Sequence, residues 1–218
     1  MELVARETHA ASVALALERG SFPAFDASTW KAIHPEGMRN ATTTSNAPNS
    51  TIGPIAGCSP GIEPLFGVVT TRNLADGSKI HEVHPLLVEA LEDRNLATDE
   101  HLAELIERGS LDECAWAPPE LVDLFVTADR VGVDWHVRMQ AAFQRHTDLG
   151  TSKTINLPSD ATVDDVVRAY LLADELGCKG VTVFRDGCLD VQFIERGHRP
   201  DSSVDAAHPT DPYCEVCT

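Results

Sequence analysis

With 218 residues, 43% of them hydrophobic, the chain is long enough for one substantial core or for one domain with a tail. Its formal charge of −17 and sequence pI near 4.7 repel nucleic-acid backbones and anionic lipid surfaces. That argues against a nucleic-acid polymer or a membrane as partner, and no run approaches the roughly 18–20 apolar residues of a membrane helix.

The opening stretch carries Leu3, Val4, Val13, Leu15 and Leu17 at helical intervals and ends at Gly20. Punctuated by Glu2, Glu7, Glu18 and Arg19 and without a basic leader, it reads as an amphipathic helix of a cytoplasmic protein. A second short helix with Trp30, Ile33 and Met38, capped by Asp26 or Ser28, is cut short by Pro35 and Gly37. The β-branched Thr42–Thr44 predict a short strand running into "SNAPNSTIGPIAGCSPGIEP" at 45–64. Val68–Thr71 and "SKIHEV" predict a hairpin turned at "ADG". Helices follow from Pro85 to Leu91, across "TDEHLAELIERG" with Thr98 or Asp99 as cap and Gly109 as stop, after Pro118–Pro119, and across "DWHVRMQAAFQRH".

The last third predicts a βαβ unit. "SKTINLP" is a strand, "TVDDVVRAYLLADELG" a helix capped by Thr162 with Asp165 three residues on and Gly177 at its end, and "GVTVF" a second strand. Val163, Val166, Val167, Tyr170 and Leu171 share one face of that helix, and the two strands are expected to run parallel. Residues 197–212, "GHRPDSSVDAAHPTDP", hold almost no large apolar side chains and predict a flexible linker.

Three features carry candidate chemistry. At Pro48, Asn49, Ser50, Thr51, Ile52 and Gly53, a strand, a turn and a helix start would aim several backbone N–H groups at one anion, with the Ser50 and Thr51 hydroxyls as further donors. The lysine and spacing of a P-loop are missing, so an ordinary turn and a phosphate cradle both fit. At the end of the chain, Cys214 and Cys217 in "CEVC" suit a dithiol that cycles with a disulfide, half of a zinc site, or an inert tail. A linker of about 16 residues spans roughly 20–25 Å, enough for a dithiol to swing between a buried site and an external reductant. The third is Glu63, between Ile62 and Pro64, the carboxylate beside the loop that merits a test. Cys58, Cys114, Cys178 and Cys188 read as reduced and mostly buried, His81 and His84 as surface or satisfied histidines, and no residues are assigned to a metal.

"RNATTTSNAPNSTIGPIAGCSPGIEPLFG", "SKTINLPSDATVDDVVRAYLLADELGCKGVTVFRDG" and the earlier "GSFPAFD" resemble the adenosylcobalamin-dependent (class II) ribonucleotide reductases, from about residue 15 to 190. The resemblance implies an α/β fold: the C-terminal half of a ten-stranded α/β barrel over residues 1–196, with a flexible tail over 197–218. It also implies reduction of ribonucleotides to deoxyribonucleotides. Loop 48–53 would cradle substrate phosphates, and Cys214 and Cys217 would pass electrons from a thioredoxin-like reductant.

Two departures accompany the match. Asn49, Ser50 and Gly53 stand where the family has Thr, Gly and Ser, and the NPCGE-type segment with the radical cysteine is absent. The expectation is therefore a C-terminal portion or small subunit that works with a larger reductase chain, which binds most of the adenosylcobalamin. A non-catalytic, nucleotide-binding regulator derived from the same barrel is the alternative.

Overall fold

The computed structural model describes residues 1–49, 52–59, 61–73, 79–188 and 195–196. Ser50, Thr51, the expected hairpin turn, the linker, and Cys214 with Cys217 lie outside the described residues. In chain order the elements are α1 (Glu2–Arg19), α2 (Trp30–Ile33), α3 (Ile52–Ala56), β1 (Val69–Asn73), β2 (Lys79–Val83), α4 (Pro85–Glu92), α5 (Asp99–Arg108), α6 (Pro119–Leu124), α7 (Val133–Gln144), β3 (Thr154–Leu157), α8 (Val163–Glu175), β4 (Thr182–Arg185) and β5 (Glu195–Arg196). The result is a mixed α/β fold, with no closed barrel among the described residues. None of the described helices is long and apolar enough to cross a membrane.

The chain forms two compact units, one from Met1–Val68 and Ala117–Gln192, the other from Val69–Trp116 and Phe193–Thr218. In the second, β1 and β2 form the expected antiparallel hairpin, and β5 adds to the free edge of β1. Thr98 caps α5 by accepting from the His101 N–H at 3.2 Å, and Gly109 ends the helix at φ +77°, a conformation glycine adopts without a Cβ clash.

The first unit is built around β3, α8 and β4. Thr154–Leu157 pair in parallel with Thr182–Arg185, as the βαβ reading expects. The Thr162 hydroxyl accepts from the Asp165 N–H, and the Asp165 carboxylate accepts from the Thr162 N–H, a complete capping box. Fully buried Ile155 and Val137 meet Leu157, Ala169 and Ala173 in the core between β3, α7 and α8.

The apolar face of α8 departs from expectation. Only Val166 of the five residues turns into the core, while Val163 is 78% exposed, Leu171 67%, and Val167 and Tyr170 are exposed as well. The small side chains of Ala169 and Ala173 let α8 lie close against α7 over the Ile155–Leu157 core, so the bulkier stripe faces outward. The helix at Glu2–Arg19 likewise buries Ala5, Ser12 and Ala16 and exposes Leu3, Val4, Leu15 and Leu17. The strand expected at Thr42–Thr44 is reduced to one parallel bridge, Asn46 with Thr151, and the second helix is a single turn after which Met38 is fully buried.

Candidate functional site

The segment before the candidate loop is laid down by side-chain hydrogen bonds. The Asn40 N–H donates to the buried Ser12 hydroxyl at 2.9 Å. The Asp148 carboxylate accepts from the Thr43 N–H at 2.7 Å and from His9 Nε2 at 3.0 Å. Burial would push this carboxyl up, but the Thr43 N–H, the His9 ring and the Thr43 hydroxyl together hold it below the usual carboxylate value. The Leu149 N–H then bonds the Thr44 carbonyl at 3.1 Å, and the Ser152 N–H bonds the Asn46 carbonyl at 2.8 Å.

From Asn46 the chain leaves into the candidate loop. Asn49 is exposed, and its amide nitrogen donates to the Ala47 carbonyl at 3.1 Å. Gly53 is buried, and its N–H closes onto the Asn49 carbonyl at 2.9 Å. Of the six residues proposed to hold phosphate, Pro48 and Asn49 thus precede α3, and Ile52 and Gly53 belong to its first turn. The Gly53 amide is already engaged within that turn, so it is not a free donor.

The limb returning from the loop ends on Glu63, whose Oε1 accepts from the Thr154 N–H at 2.8 Å. The amides of Ser152, just before β3, and of Thr154, its first residue, therefore hold the two ends of the loop segment. Between them Lys153 turns the opposite way and is 2% exposed. Its ammonium donates to the Thr154 carbonyl at 3.0 Å and to Nδ1 of His136, itself 1% exposed. His136 Nε2 lies 2.8 Å from the Ala128 carbonyl. A carbonyl only accepts, so Nε2 carries the proton and Nδ1 presents its lone pair to Lys153. Burial lowers the Lys153 pKa to about 8, with Glu63 acting in the opposite direction. Burial likewise lowers His136, against the Ala128 carbonyl bond.

A cavity of about 440 Å³ opens beside this cluster, lined by Ile62, Pro64, Trp135 and Met139 together with Glu63, His136, Lys153 and Arg138. Both ring nitrogens of His136 are engaged by neighbours, so the arrangement serves to hold geometry and to present charge at the edge of an apolar space.

The structure thus brings Glu63 together with His136 and Lys153, two residues that the sequence reading did not select. A readable signal existed: His136, Gln140 and Gln144 recur every four residues on α7, and all three are buried. Gln140 donates to the Thr151 and Gly180 carbonyls at 3.0 and 2.7 Å, and Gln144 to those of Thr147 and Leu149. A buried polar stripe of this kind satisfies backbone carbonyls in the segments that lead into β3 and β4.

The cysteine expectation needs correction. All four described cysteines are free thiols, but only Cys114 is buried, whereas Cys58 and Cys188 are exposed because they sit in turns. Burial, aided by the Glu104 carboxylate, pushes the Cys114 thiol up to about 11, which makes it inert near neutral pH. His81 is satisfied, with Nδ1 2.9 Å from the Thr71 hydroxyl.

The family description "Ribonucleotide reductase, barrel domain" matches residues 27–184. The vitamin B12-dependent ribonucleoside-diphosphate reductase of Thermoplasma acidophilum is 45% identical over 199 residues, covering 90% of this chain and 25% of that protein. The one of Mycobacterium tuberculosis (strain CDC 1551 / Oshkosh) is 42% identical over 194 residues, covering 89% of this chain and 28% of that protein. The chain therefore spans about a quarter of the length of these curated relatives. Among solved structures, the Actinobacillus ureae class Id ribonucleotide reductase alpha subunit is similar in fold, with a TM-score of 0.67 at 23% identity over 85% of this chain and 33% of that one.

Proposed function

This chain belongs to the ribonucleotide reductase family through its barrel domain, and from that premise we propose that it supplies the C-terminal part of a ten-stranded barrel to a cobalamin-dependent reductase. The reaction is the reduction of ribonucleotides to deoxyribonucleotides in the cytoplasm, and it requires a larger chain that carries the radical cysteine. The observation that carries this reading is the match of nearly the whole chain to a restricted portion of vitamin B12-dependent reductases.

Adenosylcobalamin would supply the radical chemistry. The cavity beside Glu63 has the size of a drug-like ligand, too small for a corrin with its nucleotide tail. The larger chain would therefore hold the cofactor. In this chain, loop 48–53 would bind substrate phosphates, with the Ser50 and Thr51 hydroxyls and amides as donors in place of the engaged Gly53 N–H. Cys214 and Cys217 would carry electrons inward: a thiolate of the reduced pair attacks an active-site disulfide, and the second thiolate resolves the mixed disulfide, leaving the pair oxidised for re-reduction by a thioredoxin-like protein.

The test is cobalamin-dependent reduction by the larger chain with and without this one. Turnover only in the mixture is expected, while equal turnover without this chain would overturn the reading in favour of a nucleotide-binding regulator. Cys214→Ser or Cys217→Ser is expected to abolish turnover with a protein reductant and to spare it with a small dithiol; equal loss with both reductants would contradict the shuttle.

A further inference from the structure

Five hydrogen bonds close a circuit around the returning limb of the candidate loop. Glu63 Oε1 accepts from the Thr154 N–H, and the Thr154 carbonyl accepts from Lys153 Nζ. Lys153 Nζ donates to His136 Nδ1, and His136 Nε2 donates to the Ala128 carbonyl. The Ala128 N–H then donates to the Leu65 carbonyl at 2.7 Å, two residues beyond Glu63. The circuit starts and ends on the same short limb, Glu63–Leu65, and passes through β3, α7 and the turn before α7.

We propose that Glu63 is a positioning residue that pins the limb returning from the candidate loop, and with it the α3 segment Ile52–Ser59, against the start of β3, with buried Lys153 and His136 as its support. The two ends of the loop segment are held unequally. At Asn46 the anchor is a backbone carbonyl, which any residue would provide, reinforced by the Asn46 side chain on the Ser152 carbonyl at 3.1 Å. At the far end the acceptor for Thr154 is a carboxylate, and only a side chain of that reach and polarity fills the place where a neighbouring strand would put a carbonyl. A charged acceptor on a half-buried backbone N–H is among the stronger hydrogen bonds in a protein. Lys153, held behind the strand by His136, supplies the opposite charge and fixes the Thr154 peptide from its carbonyl side. Losing the carboxylate leaves the Thr154 N–H without its acceptor and leaves the limb's hold to the Ala128–Leu65 bond.

The ligand side of this inference rests on the reading of the loop as a phosphate site; the positioning role does not. In the full chain, hydrogen exchange measured across Ile52–Ser59 should be about tenfold faster in Glu63→Ala, with α8 and β4 unchanged. Glu63→Gln, whose amide oxygen can accept the same N–H, should restore most of the protection. Unchanged exchange in Ile52–Ser59, an equal acceleration across α8 and β4, or failure of Glu63→Gln to differ from Glu63→Ala would each overturn the role. ADP supplies the separate ligand arm. Binding weakened in Glu63→Ala and retained in Glu63→Gln ties the positioning to phosphate recognition. No ADP binding by the unaltered chain, alone and with the larger chain, would sink the phosphate reading while the exchange result still decides the role of Glu63.

Discussion

The βαβ unit and the two segments that flank the candidate loop, at Asn46 and at Glu63–Leu65, are both tied to the start of β3, yet they are held by different means. β4 and α8 meet β3 through a parallel ladder and through Ile155, Leu157, Ala169 and Ala173, elements that follow one another along the chain. The flanking segments meet Ser152, just before β3, and Thr154, its first residue, through single polar contacts spanning about a hundred residues of sequence, Asn46 to Ser152 and Glu63 to Thr154. Apolar contact is spread over many atoms and tolerates small shifts, whereas a single charge-assisted bond is directional and is lost at once when its acceptor goes. The βαβ unit is accordingly suited to be scaffold, and the flanking segments to hold the ends of the loop for which we propose a phosphate-binding role.

The sharpest way to break this contrast is Ile155→Ala. Ile155 is fully buried, and its truncation removes contacts to both α7 and α8, so a loss of about 2–5 kcal/mol is expected in urea unfolding. A loss below about 1 kcal/mol would mean that the core between β3 and the helices is not what holds the unit together.

A second test addresses the polar side. Burial lowers the Lys153 pKa from 10.5 to about 8. Below about pH 8 the lysine is charged in the folded and unfolded chain alike, and the folded state bears the full penalty. Between about 8 and 10.5 the unfolded chain binds more protons, so stability rises with pH, by at most about 3 kcal/mol from this group. Lys153→Met removes that rise. Unfolding at several pH values from 7 to 10 should show the unaltered chain gaining on the variant as pH increases. A difference that stays constant would show that the ammonium is better solvated than its burial implies.

The same contrast explains what could be read from the sequence. Thr162, Asp165, Gly177 and the alternation of "SKTINLP" act within a few residues of one another, so the βαβ unit was legible to its caps and its parallel pairing. Glu63 could be singled out by its place beside the loop, but its partner Thr154 lies 91 residues away, and no local rule links the two. Lys153 looked like one of four scattered lysines, and His136 like one of nine histidines. The four-residue spacing of His136, Gln140 and Gln144 marked a polar stripe, but that it faces inward is decided by tertiary packing. The exposed stripe on α8 departs from expectation for the complementary reason: helical spacing identifies a face without saying that the small residues Ala169 and Ala173 are the ones packed into the core beside α7.

The smallest effect tests the local end of the contrast. The Thr162 hydroxyl accepts from the Asp165 N–H at 3.3 Å and donates to the Asp165 carboxylate at 2.8 Å, at an exposed helix start. Thr162→Ala removes both bonds and leaves the first turn of α8 with an uncapped N–H, at a cost of about 1 kcal/mol. Because Ala169 and Ala173 remain buried against the core, the loss should appear as fraying of Val163–Val166 in hydrogen exchange, with the rest of the helix protected. A destabilisation as large as that of Ile155→Ala would place the nucleus of the unit at its cap instead of its core, and the division between a scaffold held by burial and a limb held by polar contacts would no longer stand.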